Sequence, residues 1–434
     1  MRSHKSNARK NIAASAEKFA LLFFVLLITF LAGCNKTEDR SDTIQNTETS
    51  NPTNNQSADS LLPQYFNIDP ITSEKLHLKC EEIAALCNEL MKTGERETKQ
   101  TFPNDTILTQ AAIDDVEDLL AKSRYPVINS DSVYPEYLEN SDGIEHFFKL
   151  ADSGRTAEES LISVSLYNTI SYCTFQYDGD EMYYLSTLIT WDENGNYEIS
   201  DTSKQKMIDW GMTYNGYFYY QIYPLDRHWN ACSSIRLQPV DKELYDLYVK
   251  YLSPANYPSC VFTKDWDKQS YKNICFNDLF ESFYRTKYDD FVYAKDYPQH
   301  ADMSCSLIPA SIFEDTIFPY FDISLEEFRT LTLYMEDTNS YPWQELNCSN
   351  VIYCPWLTPE VTGKRDNGDG TFTITVDVLC FDYKCFPRFT HEITIRANSD
   401  GTFQYIANRV TYTDEHGVPD TTPRLIEQRN KAQG

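Results

Sequence analysis

The spacing of apolar residues changes character near Leu161, and that change limits what the chain can fold into. Upstream, after Ser73, Leu76, Ile83, Leu86, Cys87, Leu90 and Met91 recur at helical spacing until Gly94. A second helix is expected from about Thr109 to Lys122, with Ile113, Val116, Leu119 and Leu120 inward. Tyr125-Pro126 interrupts the helical pattern, and a third helix falls near Gly143 to Leu150. From Leu161 the period becomes two. Ile162, Val164 and Leu166 alternate with polar residues, and β-rich runs follow at Ser171 to Tyr177, Met182 to Trp191 and Tyr217 to Tyr223. Asp178-Gly179, Asn194-Gly195 and Asn215-Gly216 punctuate these runs with residues that tolerate positive φ. Two periods in one chain mean α+β: a helical N-terminal part, then a central antiparallel β meander with helices packed on one face.

Further helices are expected at Asp241 to Leu252, before Pro254, and at Phe276 to Arg285. Ser324 starts another, with its hydroxyl as the cap, Glu327 reaching back, and Ile323 and Phe328 at the staple positions. Beyond Pro355, Thr371 to Leu379, Phe389 to Ala397 and Phe403 to Tyr412 are rich in Thr, Val, Ile, Phe and Tyr, which predicts a C-terminal antiparallel β unit. The tetrapeptide Asp-Gly-Thr-Phe precedes two of these strands, at Asp369 and Asp400, as turn chemistry. The expected organisation is an α+β domain over 63–355, a β unit over 356–415 and a polar tail over 416–434.

The N-terminus carries a separate signal. Arg2, Lys5, Arg9, Lys10 and Lys18 precede the apolar run Phe19 to Leu31, which leads into Ala32-Gly33-Cys34. That run is short for a bilayer span. The segment closely resembles the lipobox of bacterial lipoproteins. The resemblance implies removal of 1–33 as a signal peptide, a diacylglycerol on the Cys34 thiol, and a protein held on the extracytoplasmic face of the cell membrane. Two acyl chains anchor far more firmly than one. An uncleaved anchor helix and a plain secretory signal are the alternatives. After Cys34 the residues are almost all polar to about Ser60, with Ile44 nearly alone as a hydrophobe. Residues 34–62 are therefore expected to be a disordered tether, whose ~26-residue coil from Asn35 to Ser60 spans about 30 Å.

Without 1–33 the chain keeps 33 basic and 64 acidic side chains, a formal charge of −31. Such a surface repels phosphate backbones, so nucleic acid is excluded as a partner and the lipid is left as the main membrane attachment. The 31 Tyr residues suit sheet surfaces and sugar-stacking platforms alike. Of twelve cysteines, Cys34 is taken by lipid and an odd number remains. Cys348 and Cys354, and Cys380 and Cys385, lie close in sequence without zinc-ligand spacing. Most are expected to be buried small hydrophobes, with a Cys380–Cys385 disulfide as the alternative.

Motifs that carry chemistry are scarce. No nucleophile elbow, metalloprotease helix, P-loop or dinucleotide fingerprint is present, so no cofactor and no metal is implied. His391-Glu392 falls in a strand, where neighbours face opposite sides and cannot share a metal. Asp366 to Thr371 is similar to a calcium loop, but with Gly370 at the sixth position the first and twelfth slots fall on Arg365 and Val376. The densest polar cluster is Asp226-Arg227-His228-Trp229, after Pro224, with Cys232 four residues beyond His228. It reads either as a ligand-binding loop or as a structural Arg–Asp pair with Trp229 packed inward. The double acids Asp289-Asp290 and Glu326-Glu327 are the residues a carboxylate-based hydrolase of envelope or dietary glycans would draw on.

Several stretches also carry a resemblance: Tyr125 to Asp131, Pro224 to Trp229, Tyr320 to Arg329, Asp369 to Asp377, Phe389 to Arg396 and Gly401 to Asn408. Together they are similar to an uncharacterised lipoprotein family of Gram-positive anaerobes, over most of the chain after about residue 110. The resemblance implies envelope location and a shared fold, and supplies no catalytic residues. The expected protein is thus a membrane-anchored lipoprotein that binds a glycan or peptide or plays a structural part in the envelope. A glycan hydrolase is the rival.

Overall fold

The computed structural model describes residues 66–98, 106–130, 133–192, 194–222, 233–255, 257, 260–346, 357–380, 386–419 and 422–425. Cys34, the 34–62 tether and the Asp226–Trp229 cluster lie outside the described residues. The architecture is α+β, as the two periods predict. The described residues form two compact units, one holding 66–210 with 221–222 and 236–239, the other 211–220, 233–235 and 240–425.

In unit 1, α1 (Pro70–Thr93) begins upstream of Ser73. Asp69 is its cap, accepting the Thr72 N–H at 2.9 Å, and Pro70 takes the first position. A short antiparallel pair, β1 (Arg96–Thr98) and β2 (Thr106–Leu108), leads to α2 (Gln110–Lys122), capped by Thr109. Then come β3 (Val127–Asn129), β4 (Tyr137–Glu139), α3 (Asp142–Asp152), β5 (Ala157–Ser165), β6 (Thr169–Tyr177), β7 (Met182–Trp191), β8 (Tyr197–Ile199) and β9 (Ser203–Met212). The strand order is β4-β3-β5-β6-β7-β9, with β8 beside β7. The pairing is antiparallel except that β3 meets β5 in parallel through Val127 and Ile162.

Helices cover both faces of this meander, not one. Ile162, Val164, Ile170, Leu185, Ile189 and Trp191 share a buried cluster with Leu76, Ile83 and Cys87 of α1 and Ile113, Val116 and Leu120 of α2. Trp191 Nε1 ties this face to α1 through Asn88 Oδ1 at 3.1 Å. The opposite face presents Leu161 and Phe175, and Phe147 of α3 lies 6.3 Å from Phe175 between ring centres. The reason is that α3 has an apolar stripe of its own, Ile144, Phe147, Phe148 and Ala151, which must be buried somewhere.

The chain continues through β10 (Tyr217–Ile222) and β11 (Ser233–Arg236). In unit 2, α4 (Lys242–Leu247) runs into a π turn over Tyr248–Leu252, followed by α5 (Cys260–Thr263), α6 (Phe280–Tyr288), α7 (Ala310–Ile317) and α8 (Leu325–Leu331). Ser324 caps α8 as expected, its Oγ accepting the Glu327 N–H at 3.2 Å. β12 (Ser306–Pro309) pairs with β13 (Ser340–Trp343). The last four strands, β14 (Leu357–Asp366), β15 (Thr371–Cys380), β16 (Pro387–Ala397) and β17 (Phe403–Thr413), form one antiparallel sheet in sequence order.

The domain break expected at 355 is therefore misplaced. Phe372, Ile374, Val376, Val378, Phe389, Ile393, Ile395 and Tyr405 form the inward row of the C-terminal sheet, and a sheet with one apolar face needs a cover. Phe262, Phe276, Phe283 and Phe321 supply it within the same core. Much of the aromatic excess is spent here: Phe280 stacks on Phe313 at 5.1 Å and Phe313 on Tyr341 at 4.4 Å.

The polar tail expected over 416–434 also needs correction. Arg424 is 6% exposed and Leu425 1%. The Arg424 guanidinium donates to Asp278 Oδ1 at 3.1 Å, to the Asp278 carbonyl at 2.9 Å and to both Glu281 carboxylate oxygens at 3.0–3.1 Å. Pairing with two acids allows a charged residue to be buried in a segment that composition alone marks as solvated. Cys80, Cys87, Cys173 and Cys260 are buried free thiols. Cys380 is buried too, while Cys348, Cys354 and Cys385 lie outside the described residues.

Candidate functional site

Asp289 and Asp290, and Glu326 and Glu327, stand at exposed positions. Asp289 is the left-handed residue that ends α6, at φ 50°, and the glutamates occupy the first turn of α8. Both pairs therefore sit at helix ends. The Asp366–Thr371 segment is a hairpin turn. Asp369 Oδ1 accepts both the N–H and the hydroxyl of Thr371, at 3.0 and 2.6 Å, and Asp400 treats Thr402 the same way at 2.9 and 2.6 Å. The repeated tetrapeptide is thus one clamp used twice.

His391 and Glu392 do face opposite sides. His391 joins the inward row of β16, fully buried, and Glu392 points outward near Arg365, 3.8 Å away. The Asn408 amide nitrogen donates to the carbonyls of Phe262 and Lys264, so its oxygen is left to accept from His391 Nδ1 at 2.7 Å. Nε2 is then the acceptor for the Tyr257 hydroxyl at 2.6 Å. Every polar atom of the ring is satisfied, and burial holds its pKa down to about 4. This is a neutral histidine built into a core.

The acid that sequence reasoning missed is Glu117 on α2. It is 3% exposed and sits on the helix's apolar stripe between Ile113 and Leu120, where Leu119 was expected to point and is only half-buried. Its two oxygens accept from the Ser130 N–H at 3.0 Å and the Ser130 hydroxyl at 2.6 Å. Gln110, on the same helix, donates to the Ser130 carbonyl at 2.8 Å and to Asp114 at 2.9 Å. Burial pushes the Glu117 carboxyl up to about 7, against the Ser130 bonds, with Asp114 and Glu136 adding in the same direction. A carboxyl poised near neutrality exchanges protons readily. The signal for it was an acid at position i+4 from Ile113 and i−3 from Leu120.

Two other places bring acids together. Glu360 and Asp377 stand opposite one another on β14 and β15, and the Asn215 amide nitrogen reaches both, at 3.3 and 3.4 Å. The Tyr217 hydroxyl donates to Glu360 at 2.5 Å and the Thr390 hydroxyl to Asp377 at 2.7 Å. In unit 1, an open depression of about 460 Å³ is lined by Thr156, Ala157, Glu158, Gln176, Tyr177 and Asp178. Glu158 is engaged there by Lys75 at 2.5 Å, and the backbone N–H groups of Glu181 and Asp180 hold Asp178 below the usual carboxylate range. That is the wrong direction for a proton donor. Among the described residues, no group of three or more His, Cys, Asp or Glu is placed to hold a metal ion.

A family model matches residues 73–424, which spans both units and every cluster described above. The chain belongs to DUF6070, a family of unknown function. No curated protein and no solved structure matches it. The DUF6070 match opens inside α1 and closes at Arg424, so the buried Arg424 and its half-buried partners Asp278 and Glu281 lie within the part that defines the family. The Asp226–Trp229 cluster falls inside the match, and Cys34 upstream of it.

Proposed function

We propose that this chain is a lipid-anchored protein of the extracytoplasmic face of the cell membrane, acylated at Cys34 and tethered through 34–62, whose folded units bind a ligand. The observation that carries this reading is the sequence Leu31-Ala32-Gly33-Cys34 after a basic and then an apolar segment. No described helix is long and apolar enough to cross a membrane, a fact compatible with a lipid anchor. Metabolic labelling with an alkyne fatty acid tests the anchor. The wild-type protein should take up label, and Cys34→Ala should remain an unlabelled precursor with its signal segment attached. Undiminished label on Cys34→Ala would overturn the assignment.

One observation favours the hydrolase rival, namely a carboxyl of about 7 at Glu117. Its position weighs against catalysis, since both oxygens are occupied by Ser130 and the residue is closed to solvent. Assaying the wild-type protein on envelope and dietary glycans separates the readings. Release of reducing ends that disappears in Glu117→Gln would establish the hydrolase.

A further inference from the structure

At the C-terminus of α6 and just beyond it the chain sets large aromatic rings in water. Tyr288, Phe291 and Tyr293 are 42%, 50% and 44% exposed, three such residues within six positions. The cause is an extended segment that is apolar on both sides. Val292 and Ala294 turn inward against the core of unit 2, so their neighbours Phe291 and Tyr293 are turned out together, 6.4 Å apart between ring centres. The backbone beneath them is fixed at both ends. Asp289 closes α6 with its N–H on the Arg285 carbonyl at 2.9 Å, and the Ala294 N–H and carbonyl are held by Glu345 at 2.8 Å and Gln299 at 2.7 Å.

Charges are interleaved with these rings. Arg285 lies 4.7 Å from the Phe291 ring centre, Lys295 5.1 Å from Tyr293 and Lys287 5.4 Å from Tyr288. Within 284–298 these three cations meet three acids, Asp289, Asp290 and Asp296, and Asp315 adds a fourth where it pairs with Lys287 and accepts from the Tyr288 hydroxyl, so the shelf carries no excess of positive charge. A protein partner that buried the rings would also have to strip water from those charges. A polyanion would find no excess of cations. A pyranose chain meets neither obstacle, because its C–H faces lie on aromatic rings while its rim of hydroxyls reaches the flanking ammonium, guanidinium and carboxylate groups.

We propose that the paired rings of Phe291 and Tyr293, with Tyr288 on the last turn of α6, form a shelf that binds a neutral β-linked oligosaccharide, whose flat ribbon presents C–H faces to the two adjacent rings. The inference names a ligand class for the binding reading and does not depend on the lipid anchor. The test is calorimetric titration of the full-length lipidated protein, held in a detergent without a sugar headgroup, with cellohexaose, chitohexaose and, as the anionic control, polygalacturonate. At least one neutral hexasaccharide should bind saturably. Phe291→Ala/Tyr293→Ala should lose at least tenfold in affinity with its melting temperature unchanged, since both side chains are exposed, and Tyr293→Trp should retain binding. Absence of saturable binding by both neutral hexasaccharides would overturn the proposal, as would binding of polygalacturonate alone. Binding that survives in Phe291→Ala/Tyr293→Ala would leave the protein a glycan binder and remove the shelf as its site.

Discussion

His391 and Glu117 are buried titratable groups whose environments act on stability in opposite senses. The folded chain keeps His391 neutral down to about pH 4, whereas an unfolded histidine takes its proton near 6.5. Between those values the unfolded state binds more protons, so this contribution is fully present above pH 6.5 and is lost as pH falls toward 4. At roughly 1.4 kcal/mol per unit the full effect is about 3 kcal/mol. Denaturant melts of His391→Phe should show a shallower loss of stability than the wild type over that range, although the variant leaves Asn408 and Tyr257 short of a partner and starts lower. Glu117 is the mirror case: its folded pKa of about 7 stands above the ordinary 4.5, so its contribution is present below pH 4.5 and lost as pH rises through 7. Glu117→Gln keeps the shape and cannot ionise. It should be close to wild type at pH 5 and more stable by about 2–3 kcal/mol at pH 8.5. A Glu117→Gln protein no more stable than wild type at pH 8.5 would refute the burial argument.

The buried thiols follow the same logic. Burial pushes Cys80 and Cys87 up to about 12 and Cys260 up to about 11, so little thiolate is available at neutral pH. These three should resist iodoacetamide in the native protein at pH 8 and react once it is unfolded, as peptide mapping would show. At this scale the sequence was partly readable. Cysteines as small hydrophobes and His391 facing away from Glu392 follow from composition and strand period, whereas Glu117 was overlooked because an acid inside a helical apolar stripe reads as an interruption until its partner is seen. Ser130 lies thirteen residues away, across a Pro-containing turn that no local pattern resolves.

Elements were legible where a local chemical device sets them. Thr109 and Ser324 cap helices, Gly179, Gly195 and Gly216 adopt φ of 104°, 78° and 80° in the expected turns, and the Asp-Gly-Thr-Phe clamp recurs. Less legible were features set by distant partners, such as α3 on the second face of the meander and the Arg424 segment. Arg424→Ala tests how much that segment contributes. Removing the guanidinium leaves the half-buried Asp278 and Glu281 facing each other without a cation, which should cost about 3–5 kcal/mol. Arg424→Lys should recover only part of this, because an ammonium has three donors and no planar fork with which to replace the four bonds that the guanidinium makes. Urea denaturation of both variants checks the order wild type, Lys, Ala.

For the molecule as a whole, the period change at Leu161 correctly announced α+β but not where the units divide. Composition placed a break at 355 because the chain turns β-rich there, yet cores are defined by which faces cover one another, and the C-terminal sheet is covered by aromatic helices that precede it by up to about 140 residues. With Glu117 in unit 1 and His391 in unit 2, hydrogen exchange should report opposite pH trends in the two. From pH 5 to 8, amides of α2 and β3 should lose protection, while those of β15 and β16 should gain it. Parallel trends in both units would contradict the assignment.

The Arg424 triad also sets an order in time. A chain made and threaded from its N-terminus delivers Asp278 and Glu281 long before Arg424, which follows Asp278 by 146 residues. At roughly 5–20 residues per second, several seconds pass in which the two acids have no guanidinium to meet. Until then they are better left in water, so the helical side of unit 2 has reason to stay open. The Arg424 segment, which follows the rest of unit 2, then acts as the latch that lets that side close.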